Sequence, residues 1–132
     1  MQRIPGGFFS EWVHNQLCVG DRMTLCGVDG ELIYILGHPR KPLLLAGWDS
    51  GLGAMMGILQ DAFENDHAGP VFLFHGVTCQ DHLYFVDEIA EIDRYYPNFH
   101  YVPCVENGPA PEYCHNGTVA AAAKELLPKL TD

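Results

Sequence analysis

Lys41-Pro42-Leu43-Leu44-Leu45-Ala46-Gly47-Trp48-Asp49-Ser50-Gly51-Leu52-Gly53-Ala54-Met55-Met56-Gly57-Ile58-Leu59-Gln60-Asp61-Ala62 reads as an apolar run, a glycine-rich turn and a helical pattern. Leu43 to Ala46 show no polar alternation, so as a strand they need cover on both faces, as an interior parallel strand has. After Gly51, apolar residues recur at Leu52, Met55, Met56, Leu59 and Phe63, while Gln60, Asp61 and Glu64 fall on the other side. The spacing predicts a helix from Ser50 to Asn65. A buried strand that feeds a helix through glycines is how α/β proteins present backbone N–H groups to a phosphate.

Composition bounds the rest. The 132 residues are 48% hydrophobic, enough for one core and too few for two comfortable domains. A net charge of -10 with seven Lys and Arg argues against nucleic acid or an anionic membrane surface as a partner, because both demand clustered positive charge. No apolar stretch has the length of a membrane span, and the residues after Met1 lack the apolar core of a signal peptide, so the cytoplasm is the expected location. The five cysteines form no Cys-x-x-Cys pair, which fits reduced thiols in packing roles. His75, Cys79 and His82 have metal-like residue types but no second half-site, so no metal is expected.

Around the glycine-rich turn, Ser10 and Glu11 suit the first turn of a short helix whose buried side is Phe9, Trp12, Val13 and Leu17. Asp21 to Cys26 alternates like a strand, residues 27–30 supply turn chemistry, and Leu32 to Leu36 is a second strand candidate. Gly37 to Lys41 reads as a boundary, which divides the chain into 1–36 and 37–132. Beyond the turn, residues 70–76 are a strand, Leu83 to Tyr96 a helix, and Phe99 to Val105 a strand in which Pro103 belongs at the end or on an edge. Thr118 to Leu127 is Ala-rich and helical, with Asn116 or Thr118 as cap and Pro128 limiting the far end.

This order of motifs resembles the ferredoxin-NADP reductase superfamily, in particular the bacterial oxygenase reductases that pass electrons from NAD(P)H through a flavin to an iron-sulfur protein. Residues 5–13 look like the family segment that holds the flavin pyrophosphate, and residues 19–31 like the last part of the flavin barrel. Residues 41–62 look like the first strand, turn and helix of the NAD(P) domain; Gly47 and Gly51 match its pattern, whereas Trp48, Asp49, Gly53 and Ala54 do not. Residues 74–88 resemble the second strand and its helix, and residues 96–104 the third strand.

The resemblance implies a three-layer, Rossmann-like NAD(P)-binding α/β domain with an incomplete parallel sheet, preceded by a small β remnant of the flavin domain consisting of a helix and a β-hairpin. It implies a dinucleotide site at Gly47, Asp49, Ser50, Gly51, Leu52, Gly76, Val77, Thr78 and Cys104, and flavin contacts at Gly7, Phe9 and Ser10. Neither the Arg-x-Tyr-Ser motif that grips the flavin nor the Cys-Gly-x-Pro motif near the nicotinamide occurs in the sequence. Hydride transfer needs both rings held face to face, positioning worth about 7 to 11 kcal/mol in favourable cases. The chain is therefore expected to be a truncated form, inactive alone, with NAD(P)H as ligand and FAD only when the missing parts are supplied.

Asp49 departs most sharply from the pattern. A carboxylate about 4 Å from a diphosphate is repelled by roughly 1 to 4 kcal/mol per charge pair. Asp49 or Ser50 capping the helix is the competing reading, favoured because both are preferred capping residues. Gly51, Gly53 and Gly57 miss the Gly-x-Gly-x-x-Gly spacing, and Gly53 with Gly57 suits close packing of the helix on the sheet. Thr78 stands where many relatives carry an Arg that meets the ribose or its phosphate, and no Lys or Arg falls between Lys41 and Arg94. Tyr84 and Phe85 sit in the apolar phase of a helix start and read as core.

The expected sheet has three parallel strands in the order 3-2-1, and its first strand has a bare edge. An unpaired apolar edge favours a partner, so a second copy, a partner chain or the N-terminal strands should cover Leu43 to Ala46. Two functions remain: the NAD(P)H-binding part of a flavin-dependent oxidoreductase, or a non-catalytic binding or assembly module that kept the fold and lost the site. A thiol or metal enzyme using His75, Cys79 and His82 is the poorer third.

Overall fold

The computed structural model describes residues 2–27 and 29–130, which form two compact units dividing between Glu31 and Leu32. In the first, helix α1 (Phe8–Asn15) forms as its sequence predicts, with Gly7 at its N-cap. Of its expected buried side, Trp12, Val13 and Leu17 are half-buried while Phe9 is 47% exposed, and Ser10 is the buried residue of the helix. The Arg3 guanidinium forks onto Glu11 at 3.1 and 2.8 Å, which holds the Glu11 carboxyl below its usual range.

The predicted β-hairpin of residues 1–36 is corrected, since neither 21–26 nor 32–36 forms a strand. Val28, in the expected turn between them, lies outside the described residues. Alternation marks a chain as fit for a ladder, but a strand exists only where a neighbour satisfies its backbone groups. Leu32 onward joins the second unit instead, where Tyr34 is 8% exposed and its hydroxyl meets His67 Nδ1 at 2.8 Å.

That second unit holds the α/β fold. Strand β1 (Leu43–Trp48), helix α2 (Leu52–Glu64), strand β2 (Val71–Val77), helix α3 (Val86–Tyr95), strand β3 (Phe99–Val105), the two-residue strand β4 (His115–Asn116) and helix α4 (Val119–Leu130) follow in order, and the sheet runs β1-β2-β3-β4. All pairings are parallel; Leu45 faces Leu73, which faces Tyr101, and Cys104 faces His115. Strand β4 lengthens the expected three-stranded sheet by a short fourth. It pairs only with Cys104 and Val105, which leaves Pro103 on an open side of β3, where its missing N–H costs nothing.

Helices α2 and α3 cover one face of the sheet, where Leu45, Leu52, Leu59, Leu73, Ile89 and Phe99 pack together. Phe72, Phe74 and Cys104 point to the other face and meet Ala122 of α4. Thr118 caps α4 by accepting the Ala121 N–H at 3.2 Å. The helix runs through Pro128 rather than stopping before it. Because α4 packs on β2 and β3, the matching face of β1 is left open: Leu44 is 52% and Trp48 44% exposed.

Candidate functional site

The C-terminal ends of β1 and β2 lie side by side, Trp48 in register with Gly76, and this is the edge where open α/β sheets take ligands. The chain leaves β1 through a 3-10 turn, Asp49–Gly51, and enters α2 directly. Gly47 makes this possible. A Cβ there would sit 2.8 Å from Leu52 Cα and 2.9 Å from Leu52 N, so only glycine lets the strand end come this close to the helix start. Gly76 serves a similar purpose on β2, since a Cβ there would lie 2.6 Å from both the Trp48 ring and Val119 Cγ2.

The capping reading is corrected. The N-cap positions fall on Trp48 for the 3-10 turn and Gly51 for α2, and neither makes a side-chain cap bond. Asp49 lies inside the turn with φ 46°, in the left-handed region that Asp tolerates better than most residues. Close packing by Gly53 and Gly57 is corrected too: a Cβ on either meets nothing within 4 Å, because both face outward from α2.

The remaining dinucleotide candidates divide by burial. Ser50, Gly51 and Thr78 are exposed and Asp49 is partly so, and together they form an accessible rim across the two strand ends. Leu52, Val77 and Cys104 are fully buried and present no surface to a ligand. The Cys104 thiol lies in the α4-side core and is pushed up to about 12 by burial, so it is inert. Thr78 is held by its backbone, its carbonyl accepting the Asn107 N–H at 2.8 Å as the β2–β3 ladder runs on past the strand ends.

The flavin candidates Gly7, Phe9 and Ser10 belong to the first unit. The Ser10 hydroxyl is engaged locally: it accepts the Ile4 N–H at 3.1 Å and lies 3.2 Å from the Ile4 carbonyl. Gly7 is held beside it, since a Cβ at Gly7 would come within 2.8 Å of that same oxygen.

His75, Tyr84 and Tyr101 stand behind the rim. His75 is fully buried on β2, its Nδ1 3.0 Å from the Tyr101 hydroxyl and its Nε2 without a hydrogen-bond partner. Burial pulls its pKa down to about 4, against the opposing charge of Asp49, so the ring is neutral near pH 7. Burial also raises the Tyr101 hydroxyl well above its ordinary value. Tyr84 presents its ring at 80° to that of His75, with centroids 5.3 Å apart, and its hydroxyl donates to the Asp49 carbonyl at 2.8 Å. Phe85, expected in the core, is half exposed with φ 58° at the N-cap of α3. Only the excess of aromatic residues around the second strand hinted at this cluster.

His75, Cys79 and His82 do not gather into a centre: His75 faces the tyrosines from inside the core while His82 is exposed. Among the described residues no group of three or more His, Cys, Asp or Glu is placed to hold a metal ion. No helix among them is long and apolar enough to cross a membrane. A cleft of about 680 Å³ runs along α2 and α3, lined by Gly53, Met56, Phe63 and Tyr96, but it carries Glu64 and no cation and offers a diphosphate nothing. The rim offers exposed backbone at a glycine-enabled strand–helix turn, with the acidic Asp49 inside that turn.

Comparison with known proteins shows the family. Residues 44–132 match the model of the oxidoreductase NAD-binding domain. The reductase subunit of an aromatic O-demethylase from Amycolatopsis sp. is 32% identical over 118 residues, covering 86% of this chain and 35% of its own. The ferredoxin–NAD(P)+ reductase component of the naphthalene 1,2-dioxygenase/salicylate 5-hydroxylase systems from Ralstonia sp. is 28% identical, covering 98% of this chain and 39% of its own. The crystal structure of Amycolatopsis cytochrome P450 reductase GcoB superposes with a TM-score of 0.83 at 28% identity, over 96% of this chain and 39% of that one. The chain thus spans little more than a third of the length of these relatives. It belongs to the oxidoreductase NAD-binding domain family, of the ferredoxin reductase type that its motifs implied.

Proposed function

We propose that this chain is the NAD(P)H-binding part of a flavin-dependent electron-transfer reductase of the kind that serves oxygenases. The observation that carries the reading is the Asp49–Gly51 turn, which brings exposed backbone to the C-terminal edge of a parallel sheet beside exposed Thr78. Chemistry with the nicotinamide requires a flavin to receive the hydride, and FAD belongs to the reading only together with the parts of a reductase that this sequence does not carry. The role of the chain's own residues is to bind and orient the dinucleotide. Thermal unfolding with NADH, NADPH and FAD tests this: NADH raises the melting temperature, FAD alone does not, and NADH is not oxidised by the chain alone. No shift with either nicotinamide nucleotide at millimolar concentration would sink the reading.

Of the two nucleotides, charge favours NADH. A 2′-phosphate near the end of β2 would find Thr78 and Asp81, in a stretch without Lys or Arg from residue 42 to 93. The reducing cytoplasm suits the five free cysteines.

A second reading, a binding or assembly module without nucleotide, draws on the Asp49 charge at the turn and the full burial of Leu52, Val77 and Cys104. It predicts no thermal shift with any nucleotide. Under either reading, strand β1, at the edge of the sheet and with Leu44 exposed, is proposed to take a second copy or a partner chain along Leu43 to Ala46.

A further inference from the structure

The Asp49 carbonyl accepts two hydrogen bonds. Leu52 N–H reaches it from within the turn and closes the 3-10 geometry, and the Tyr84 hydroxyl reaches it from outside at 2.8 Å. The donors come from different parts of the chain: Leu52 opens α2, whereas Tyr84 sits 35 residues further along than Asp49, in the segment joining β2 to α3. The bond therefore ties together the two loops that bound the candidate site, one at the end of β1 and one after β2.

Both ends of this tie carry backbone strain. Asp49, the acceptor, has φ 46°, and Phe85, directly after the donor, has φ 58°. For a bulky aromatic residue the left-handed region is a genuine outlier, and such strain persists where surrounding contacts over-determine it. Contacts of that kind are present. The Tyr84 ring packs at 80° to His75 and at 5.4 Å from the Phe85 ring, and His75 is fixed in turn by Tyr101. Burial, and after it the Asp49 charge, raises the Tyr84 pKa, so the hydroxyl keeps the proton it donates.

We propose that Tyr84 is a positioning residue that clamps the Asp49–Gly51 turn, holding it in the left-handed conformation that presents Ser50 and Gly51 at the rim. Its consequence for a ligand rests on the nucleotide-binding reading above; the clamp itself does not. Without the hydroxyl, Asp49 loses one of the two bonds on its carbonyl and the turn opens more often, while the ring contacts to His75 and Phe85 remain.

The test is Tyr84→Phe in the full chain, with amide hydrogen exchange followed residue by residue and NADH affinity measured on the same samples. Losing one hydrogen bond of ordinary strength should speed exchange at the Leu52 amide roughly five- to tenfold, with the amides of β2 and β3 unchanged, and weaken NADH binding by a similar factor. Unchanged exchange at Leu52, or an equal acceleration at every core amide, overturns the clamp. Faster exchange at Leu52 with undiminished NADH affinity overturns the positioning role. A wild-type chain that binds no NADH removes the nucleotide reading, and the clamp then stands or falls on the exchange result alone.

Discussion

Gly47 and Leu52 approach so closely that a single methylene between them has no room: a Cβ on Gly47 would lie 2.8 Å from Leu52 Cα. The obstacle is backbone at Leu52, the buried first residue of α2, which cannot swing aside. Gly47→Ala should therefore destabilise the fold by about 3 kcal/mol, the upper range for overpacking. Gly53→Ala and Gly57→Ala, with open space around them, should instead stabilise α2 by about 0.5 to 1 kcal/mol each through helix propensity. Urea denaturation of the three variants checks the contrast, and destabilisation by all three would contradict it.

Asp49 sets the charge at the same turn. Removing it with Asp49→Asn, a residue that also tolerates positive φ, should tighten NADH binding by roughly fivefold or more, the low end of the repulsion expected at such range. Thr78→Arg should close the gap between NADH and NADPH by supplying a cation at the end of β2. Titration calorimetry reads both, and an affinity unmoved by Asp49→Asn would place the ligand away from this turn.

His75 makes the fold acid-sensitive over a defined window. Its pKa falls from 6.5 to about 4 on folding, so the unfolded chain binds the proton first and stability is lost as pH drops from 6.5 toward 4. The loss attributable to this residue reaches about 3 kcal/mol at the lower end. His75→Phe should be less stable than wild type at pH 7, because the Tyr101 hydroxyl loses its partner, yet show a shallower decline between pH 6.5 and 4. Parallel curves for the two proteins in urea melts across that range would rule the assignment out.

Much of this fold is legible in the sequence because period and burial agree there. Val71 to Val77 is buried at every residue, as a continuous apolar run predicts for a central strand, and Phe99 to Val105 forms over the expected span. Helix α2 begins within two residues of its predicted start. Legibility fails where structure depends on a neighbour: Asp21 to Cys26 and Leu32 to Leu36 have strand patterns and no ladder, and β4 is two residues without a pattern of its own. In the site, the close approaches at Gly47 and Gly76 were not legible, since helical spacing pointed to Gly53 and Gly57 instead, and which glycine meets another backbone depends on the tertiary fold. Nor was the Tyr84 bond, because a side chain reaching a backbone carbonyl 35 residues away leaves no local signature.

The exposure of Leu44 and Trp48 on β1 leads to a prediction about assembly. Light scattering should give at least a dimer's mass in solution, and Leu44→Lys should shift it toward the monomer, since a charge on an open edge strand opposes pairing. A monomeric wild type at high concentration would contradict a second copy on this face.

The Asp49–Gly51 turn binds a nicotinamide nucleotide only if the nucleotide touches the rim residues themselves. Titrating NADH into the isotope-labelled chain and following backbone amide shifts should move Ser50, Gly51 and Thr78 first, with a dissociation constant between about 1 µM and 1 mM, and leave the cleft around Phe63 and Tyr96 still. Shifts confined to that cleft, or none at all at millimolar NADH, would contradict it.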